Sequence, residues 1–411
     1  MKEKNKTLYI IVDAFRSDYL TDDKMPYISD LASKSIYIEE VVPSPGFCER
    51  VEILTGKQNT ETGYFTAIDR VDPLYKSTPL LNLVAAISNL IGFIGKFFNS
   101  YLLFRLKTKL VSKILKTFWP HFNVPPYHIP PEIYGQFDLS EDAVDQSLPS
   151  AFGVPSIVDH SLDEGYTINF SAFTSLSNEQ LYVDDDRMQY VEDYFHNSED
   201  TIFFLYLGEL DSMGHKWGPK SPEFMKILKT FDKKLYDFIS RLENEGSFGC
   251  VIIGDHGMSD VESTVDFQKI VRDEAEQIGI SVEDEITIFC DSTLGRVWLK
   301  DDVRVEALRN RLKNNPILNK YGLIFDNEDY QKYGVPMNLD LHGQIIWWAN
   351  NGIVVSPDYF YGPFAPKGMH GYLPSMKDNY GIAIFSGKSV KPKKIAQAKL
   401  SEILRISEAI F

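Results

Sequence analysis

Apolar residues along this chain come in short unbroken runs separated by polar, glycine-containing joints. TLYIIVDA (7–14), SIYIEEVV (35–42), YTINFSAF (166–173), TIFFLYLGE (201–209), GCVIIGD (249–255) and GIAIFSG (381–387) each read as a strand. Continuous apolar runs suit strands covered on both faces, the situation of a mostly parallel sheet under helices. PEFMKILKTFDKKLYDFISRLENEG, between 209 and 249, has helical spacing and ends in Gly246 as a C-cap. Strand, helix, strand in that order is a βαβ unit. The pattern predicts an α/β fold with a mostly parallel central sheet flanked by helices.

Two stretches interrupt it. Residues 75–135 hold an uncharged apolar stretch (77–95), a basic amphipathic one (KFFNSYLLFRLKTKLVSKILKTFW) and a Pro-rich turn. Residues 262–365 read as a smaller α/β subdomain, with strands near 286–299 and 343–356 around a helical 301–313. The core is then 1–74, 136–261 and 366–411, with no internal repeat.

With 411 residues and 44% hydrophobic content the chain can bury a large core. A net charge of −16 argues against a nucleic-acid polymer as partner, because phosphate backbones need a basic footprint. Bound cations can still let an acidic chain hold a phosphate ester. The three cysteines, Cys48, Cys250 and Cys290, imply no disulfide framework. The first apolar run is too short for a signal-peptide core, and 77–95 is too rich in Asn, Ser and Gly for a membrane span. The expected location is cytoplasmic, with membrane association left open by the insertion.

Several polar residues follow the strands: Asp13, Asp211 and Asp255. Sites in open α/β sheets form at that edge. Asp211 and His215 stand four apart in GELDSMGHKWGP, Asp255 and His256 are adjacent in VIIGDHGMSD, and His370 lies in PKGMHGY. Three carboxylates and three imidazoles suit a pair of divalent ions, zinc before manganese or magnesium, with open positions for a phosphoryl group. Taken singly, an Asp after a strand is most often a cap or turn residue and a His most often structural. Their joint occurrence beside glycines is what points to metal.

These segments resemble the type I phosphodiesterase/nucleotide pyrophosphatase branch of the alkaline phosphatase superfamily. GELDSMGHKWGP is similar to its Asp-x-x-Gly-His-x-x-Gly-Pro pattern, GDHGM to its Asp-His-Gly-Met and KGMHGY to its Gly-x-His-Gly-Tyr; Asp13 sits where its first-strand Asp sits. The resemblance implies an alkaline phosphatase-like fold and a two-metal phosphodiesterase or pyrophosphatase. It also implies that Asp211, His215 and His370 hold one ion and Asp13, Asp255 and His256 the other. A phosphomonoesterase, phosphotransferase or sulfatase relative, or a metal-binding homologue without activity, would share these residues.

One departure matters. The family places a Thr or Ser nucleophile on a turn upstream of a Thr-Gly pair. Aligned on Thr55–Gly56 in PSPGFCERVEILTGKQNTETGYF, that position is Gly46. The related sulfatase motif also fails here, although Arg50 falls on its arginine. Cys48 is the nearest substitute, a thiol near a helix start that can ionise beside metal, or else a small buried apolar residue. Ser44 is constrained by Pro43 and Pro45, and a metal-activated water needs no side-chain nucleophile. Glu49 can serve as extra ligand or base, and Arg50 as a fork for substrate oxygens; either also fits an ordinary ion pair. The basic run 96–119 reads as a helical lid or as a membrane contact, the latter pointing to a bulky or lipid-linked phosphate ester. Trp347, Trp348 and His342 stay outside the site, the tryptophans as a core-and-surface pair.

Overall fold

The computed structural model describes residues 6–71, 128–130, 133–173, 181 and 183–410, with isolated positions between 83 and 114. The chain is α/β. Its main sheet has seven strands in the spatial order Lys393–Lys399, Ile36–Val42, Gly381–Ser386, Gly249–Gly254, Thr7–Val12, Ile202–Leu207, Ile168–Ala172. All pairings are parallel except those of Gly381–Ser386, which runs against both neighbours. Thr7–Val12 and Gly249–Gly254 are buried along their whole length, as near-continuous apolar runs are when both faces of a sheet are covered.

Helix Pro222–Glu245 lies on one face. Its capping serine, Ser221, accepts from the Phe224 amide, Pro222 opens the helix and Gly246 closes it. Phe224, Leu228, Phe231, Leu235, Phe238 and Leu242 recur at helical spacing and pack with Leu8, Ile10, Val12 and Ile252.

The register of the three central strands builds the site. Val12 stands level with Leu207 on one side and Gly254 on the other. The next residues, Asp13, Gly208 and Asp255, therefore leave the sheet side by side at its C-terminal edge. Gly254 permits this closeness: a Cβ there would lie 2.2 Å from the Phe15 carbonyl oxygen.

Residues 262–365 contain a second, antiparallel sheet ordered Ile286–Asp291, Leu294–Leu299, Ile345–Ala349, Gly322–Ile324. The stretch 286–299 is thus a hairpin of two strands turning at Ser292–Thr293. Trp347 and Trp348 are both fully buried, so the expected core-and-surface pair is corrected: both faces of this sheet are covered. Trp347 packs with Phe267, and Trp348 with Phe65 and Phe325. Most of the expected insertion 75–135, including most of 96–119, lies outside the described residues. No helix among the described residues is long and apolar enough to cross a membrane.

Candidate metal centre and active site

A cavity of about 840 Å³ opens at the C-terminal edge of the main sheet. Asp13, Asp211, His215, Asp255, His256 and His370 all line it. Asp13 and Asp255 come directly off strands. Asp211 and His215 sit one turn apart on helix Glu209–Trp217, which starts as Ile202–Leu207 ends. His370 follows the two-residue strand Gly368–Met369, which pairs with Ser259–Asp260 just beyond His256. That pairing lays the His256 and His370 rings face to face, centroids 3.9 Å apart.

The donor atoms gather in trios. Asp211, His215 and His370 each place a ligand atom within 4.8 Å of the others, and so do Asp13, Asp255 and His256. The rings are oriented for ligation. Nδ1 of His256 faces the Gly257 carbonyl at 2.8 Å and Nδ1 of His215 faces the Gly368 carbonyl at 2.8 Å. A carbonyl only accepts, so each Nδ1 carries the hydrogen and Nε2 is left for a ligand. Nε2 of His256 lies 3.0 Å from Asp13 Oδ1, and Nε2 of His215 lies 3.1 Å from Asp211 Oδ1. Both carboxylate oxygens are buried without an aligned hydrogen-bond donor. Lone pairs facing lone pairs need a cation between them. Two donors roughly 2.1 Å from one ion in tetrahedral geometry stand about 3.4 Å apart, close to these separations. The residues present fit divalent metal.

Without metal, the protonation pattern shows the same need. Burial would suppress the charge of His256, but Asp255 and Asp13 hold its pKa well above the ordinary value. Burial and the neighbouring Asp13 charge push Asp255 up to about 7. Burial would also raise Asp13, yet His256 and the Tyr206 hydroxyl, which donates to its Oδ2, bring it below the usual range. Burial and the charges of His256 and His215 drive His370 well down, leaving it a neutral donor. A proton thus fills a gap that a metal would take over, so binding must release protons.

A pH dependence follows. Asp255 and Asp291 have folded pKa values of about 7 against an ordinary 3.8. Between about pH 4 and 7 the folded state binds more protons than the unfolded, so stability falls as pH rises. His256, raised, adds in the same direction above its ordinary 6.5, while His370, lowered, opposes it below that value. In thermal scans, metal-free chain is expected to lose stability from pH 5.5 to 8, and excess divalent metal to restore more at pH 8 than at 5.5. A metal-free melting temperature that climbs over this range would contradict it.

The three residues read as catalytic separate here. Glu49 is the first residue of helix Glu49–Thr55 and lines the cavity. A carboxylate oxygen of Glu49 forms a third close group with nitrogens of His256 and His370, within 4.8 Å of one another. Burial raises its pKa to about 8. Arg50 also reaches the cavity wall, but as an ion-pair residue: Nε meets Glu141 at 2.7 Å and a terminal nitrogen meets Asp142 at 2.9 Å. Of the two readings open for Arg50, substrate fork or ion pair, these contacts fit the ion pair.

Of the two readings open for Cys48, its surroundings fit the small buried apolar residue. It caps the helix from outside the cavity, packed with Val51, Leu54 and Phe152, its Sγ 3.4 Å from the Thr66 carbonyl. Burial and the charge of Glu141 push the thiol well above its usual pKa, the opposite of a reactive thiolate. Cys48→Ala is expected to leave turnover within about twofold and to cost roughly 1 kcal/mol of stability as a small cavity; a hundredfold loss of turnover would restore the thiol to the mechanism.

Other contributors were not read from the sequence. Tyr206 orients Asp13. Asp184 accepts from the amides of Gly208 and Glu209 at 3.0 and 2.9 Å, fixing the start of the helix that carries Asp211. Trp348 Nε1 and Thr293 Oγ1 both donate to the Gly371 carbonyl, at 3.0 and 2.9 Å, anchoring the turn behind His370. His342 lies apart, bonded to Asp69 and the Gly63 carbonyl.

Comparison with known proteins agrees with this geometry. Residues 7–373 match the family model for type I phosphodiesterase/nucleotide pyrophosphatase. Human bis(5'-adenosyl)-triphosphatase ENPP4 is 23% identical over 263 residues, covering 62% of this chain but only 48% of that protein. The chain therefore spans about half the length of that relative. Mouse ectonucleotide pyrophosphatase/phosphodiesterase family member 7 is 38% identical over 71 residues, 16% of each chain. GPI ethanolamine phosphate transferase 1 of Schizosaccharomyces pombe is 28% identical over 129 residues, 30% of this chain and 14% of that one. Among solved structures, an inactive variant of murine ENPP5 in complex with AMP superposes with a TM-score of 0.67 at 17% identity, covering 98% of this chain and 94% of that one. At that identity the likeness establishes the fold.

Proposed function

The chain belongs to the type I phosphodiesterase/nucleotide pyrophosphatase family, and from its site we infer that it hydrolyses a phosphodiester or pyrophosphate bond with two divalent metal ions, zinc before manganese or magnesium. The observation that carries this reading is the pair of donor trios, Asp211/His215/His370 and Asp13/Asp255/His256, at one sheet edge. Bound there, the ions would neutralise phosphoryl oxygens and stabilise the leaving oxygen. The chain's own residues supply the rest. Gly257 and Gly368 fix the imidazoles through their carbonyls, Tyr206 holds Asp13, and Asp184 holds the helix of Asp211. Along the cavity walls, carboxylates outnumber the cations Arg50, Arg187 and Lys234. Without metal such a site repels an anionic ester.

A small nucleotide or related phosphate ester is the substrate class the family suggests. A lipid-linked ester is the finer reading. It draws support from helical positions where Leu83, Ile87, Leu90 and Ile94 are exposed at four- and three-residue intervals, while Val84 and Ser88 are buried. Exposed Leu106 and Leu110 accompany exposed Lys109 and Lys113. Apolar rows beside lysines suit the surface of an anionic bilayer. In flotation with anionic vesicles the wild type is expected to rise with lipid and a 96–116 Lys/Arg→Glu variant to stay behind; equal behaviour ends the membrane reading.

Gly46 favours a second reading, a metal-binding homologue without turnover. Elemental analysis together with bis-p-nitrophenyl phosphate hydrolysis separates the two. Metal with turnover abolished by chelation supports the hydrolase; tightly held metal without turnover on any diester supports the binder.

A further inference from the structure

Among the described residues, no hydroxyl or thiol stands at the position that aligns with the family's nucleophile, which is Gly46 here. Gly46 sits at φ +110° with its missing Cβ only 2.0 Å from the Phe65 carbonyl oxygen, and the Phe47 amide donates to that same oxygen at 2.9 Å. No residue with a side chain fits there unless the turn moves. Cys48 and Ser44 are buried outside the cavity, and the Ser44 amide is held by Glu52 at 2.7 Å. The cavity hydroxyls among the described residues belong to Tyr206, Ser212, Ser292 and Tyr361; Tyr206 donates to Asp13, Ser292 donates to Asp358 at 3.0 Å, and the Tyr361 ring stands 5.5 Å from that of His215. Ser212 lines the cavity from the exposed side of helix Glu209–Trp217, next to Asp211 and outside the close groups of donor atoms.

Glu49 occupies the seam instead. Its carboxylate groups with His256, a member of one trio, and with His370, a member of the other. It is the one carboxylate among the described residues that meets a histidine from each trio in these close groups. Helix Glu49–Thr55 presents it there, and the contact of Arg50 with Glu141 and Asp142 fixes that helix against the cavity wall.

We propose that water, and no side chain, attacks phosphorus in this chain, and that the Glu49 carboxylate fills the nucleophile's seat as an additional ligand across the seam. This rests on the hydrolase reading above. The water oxygen forms the new P–O bond as the bond to the leaving oxygen breaks. One water proton ends on the leaving oxygen, and the other stays on the phosphate product or passes to solvent. One in-line displacement inverts configuration at phosphorus, whereas two successive displacements through a phosphorylated residue retain it.

The decisive experiment hydrolyses a phosphodiester made chiral with sulfur, in ¹⁸O water, and reads the product by ³¹P NMR. Inversion is expected, with no phosphoryl adduct in the intact mass of acid-quenched protein. Retention, or a trapped adduct, overturns the one-step route while leaving the hydrolase reading intact. Absence of turnover by metal-loaded chain overturns both. The role of Glu49 has a readout independent of turnover: calorimetric metal titration of Glu49→Ala and Glu49→Gln. At least about tenfold weaker binding of one ion is expected for Glu49→Ala, by the scale of changes around bound metals, with the thermal unfolding of the metal-free variants near wild type. Unchanged affinity in both variants overturns the assignment of Glu49 as ligand.

Discussion

Asp211→Ala is expected to lower turnover more than about a hundredfold and to leave the chain with one metal equivalent instead of two. Substitutions merely adjacent to metal ligands cost roughly 10–100-fold in affinity or activity, and Asp211 is a member of its trio. Its Oδ1 lies 3.1 Å from His215 Nε2 and 3.6 Å from His370 Nε2, so it is the anion that both histidines face. Without it His215 and His370 lose the charge that makes their pocket attractive to a cation. Turnover measured under saturating metal, with metal content by mass spectrometry on the same samples, checks both halves. A variant that keeps two equivalents and full turnover would remove Asp211 from the site.

Arg50→Met is expected to be the most destabilising single change near the cavity, by about 3–5 kcal/mol. It takes the guanidinium away from two buried carboxylates, and breaking one partner of a buried ion pair costs on that scale. Burial decides the magnitude: the Arg50 side chain is 13% exposed, and those of Glu141 and Asp142 are each 2% exposed. Glu141 also accepts from the Val51 amide at 3.1 Å, so the loss spreads to the helix bearing Glu49. Urea unfolding checks it. Adding Glu141→Gln and Asp142→Asn to Arg50→Met is expected to recover much of the loss, since the repelling charges disappear together. A single variant as stable as wild type would show these carboxylates to be satisfied elsewhere.

Much of this site was legible in the sequence because its ligands are local to strand ends. Asp13, Asp255 and His256 directly follow apolar runs, and Asp211 and His215 have helical spacing, so elementary periodicity placed them at one edge. His370 stood out by its glycine-flanked setting in PKGMHGY and not by periodicity, since the two-residue strand before it is too short to read. The neighbourhood of Cys48 was illegible for a physical reason. Its fate depends on Thr66 and Ser140, which lie 18 and 92 residues away. Proximity to a helix start suggested a thiolate; burial beside Glu141 reversed it. The partners of Arg50 were illegible in the same way, standing 91 and 92 residues distant.

Some of the fold escaped for other reasons. Lys393–Lys399 is an edge strand with mostly exposed positions, and its lysines hide it from any apolar pattern while protecting the edge. Arg296 sits fully buried in an otherwise apolar strand, paired with Asp291 at 2.8 Å and bonded to the Ile68 carbonyl and Thr66. Its ion-pair partner is across the same hairpin, while Thr66 and Ile68 are about 230 residues away in the chain, so its burial is specified largely by distant partners.

The central claim is that two cations lie between the trios. Anomalous scattering from crystals grown with zinc, recorded on both sides of its absorption edge, tests it most directly. Two peaks are expected, one within about 2.0–2.2 Å of donors from Asp211, His215 and His370 and one likewise from Asp13, Asp255 and His256. No peak at that sheet edge, or ions only at surface carboxylates, would contradict it.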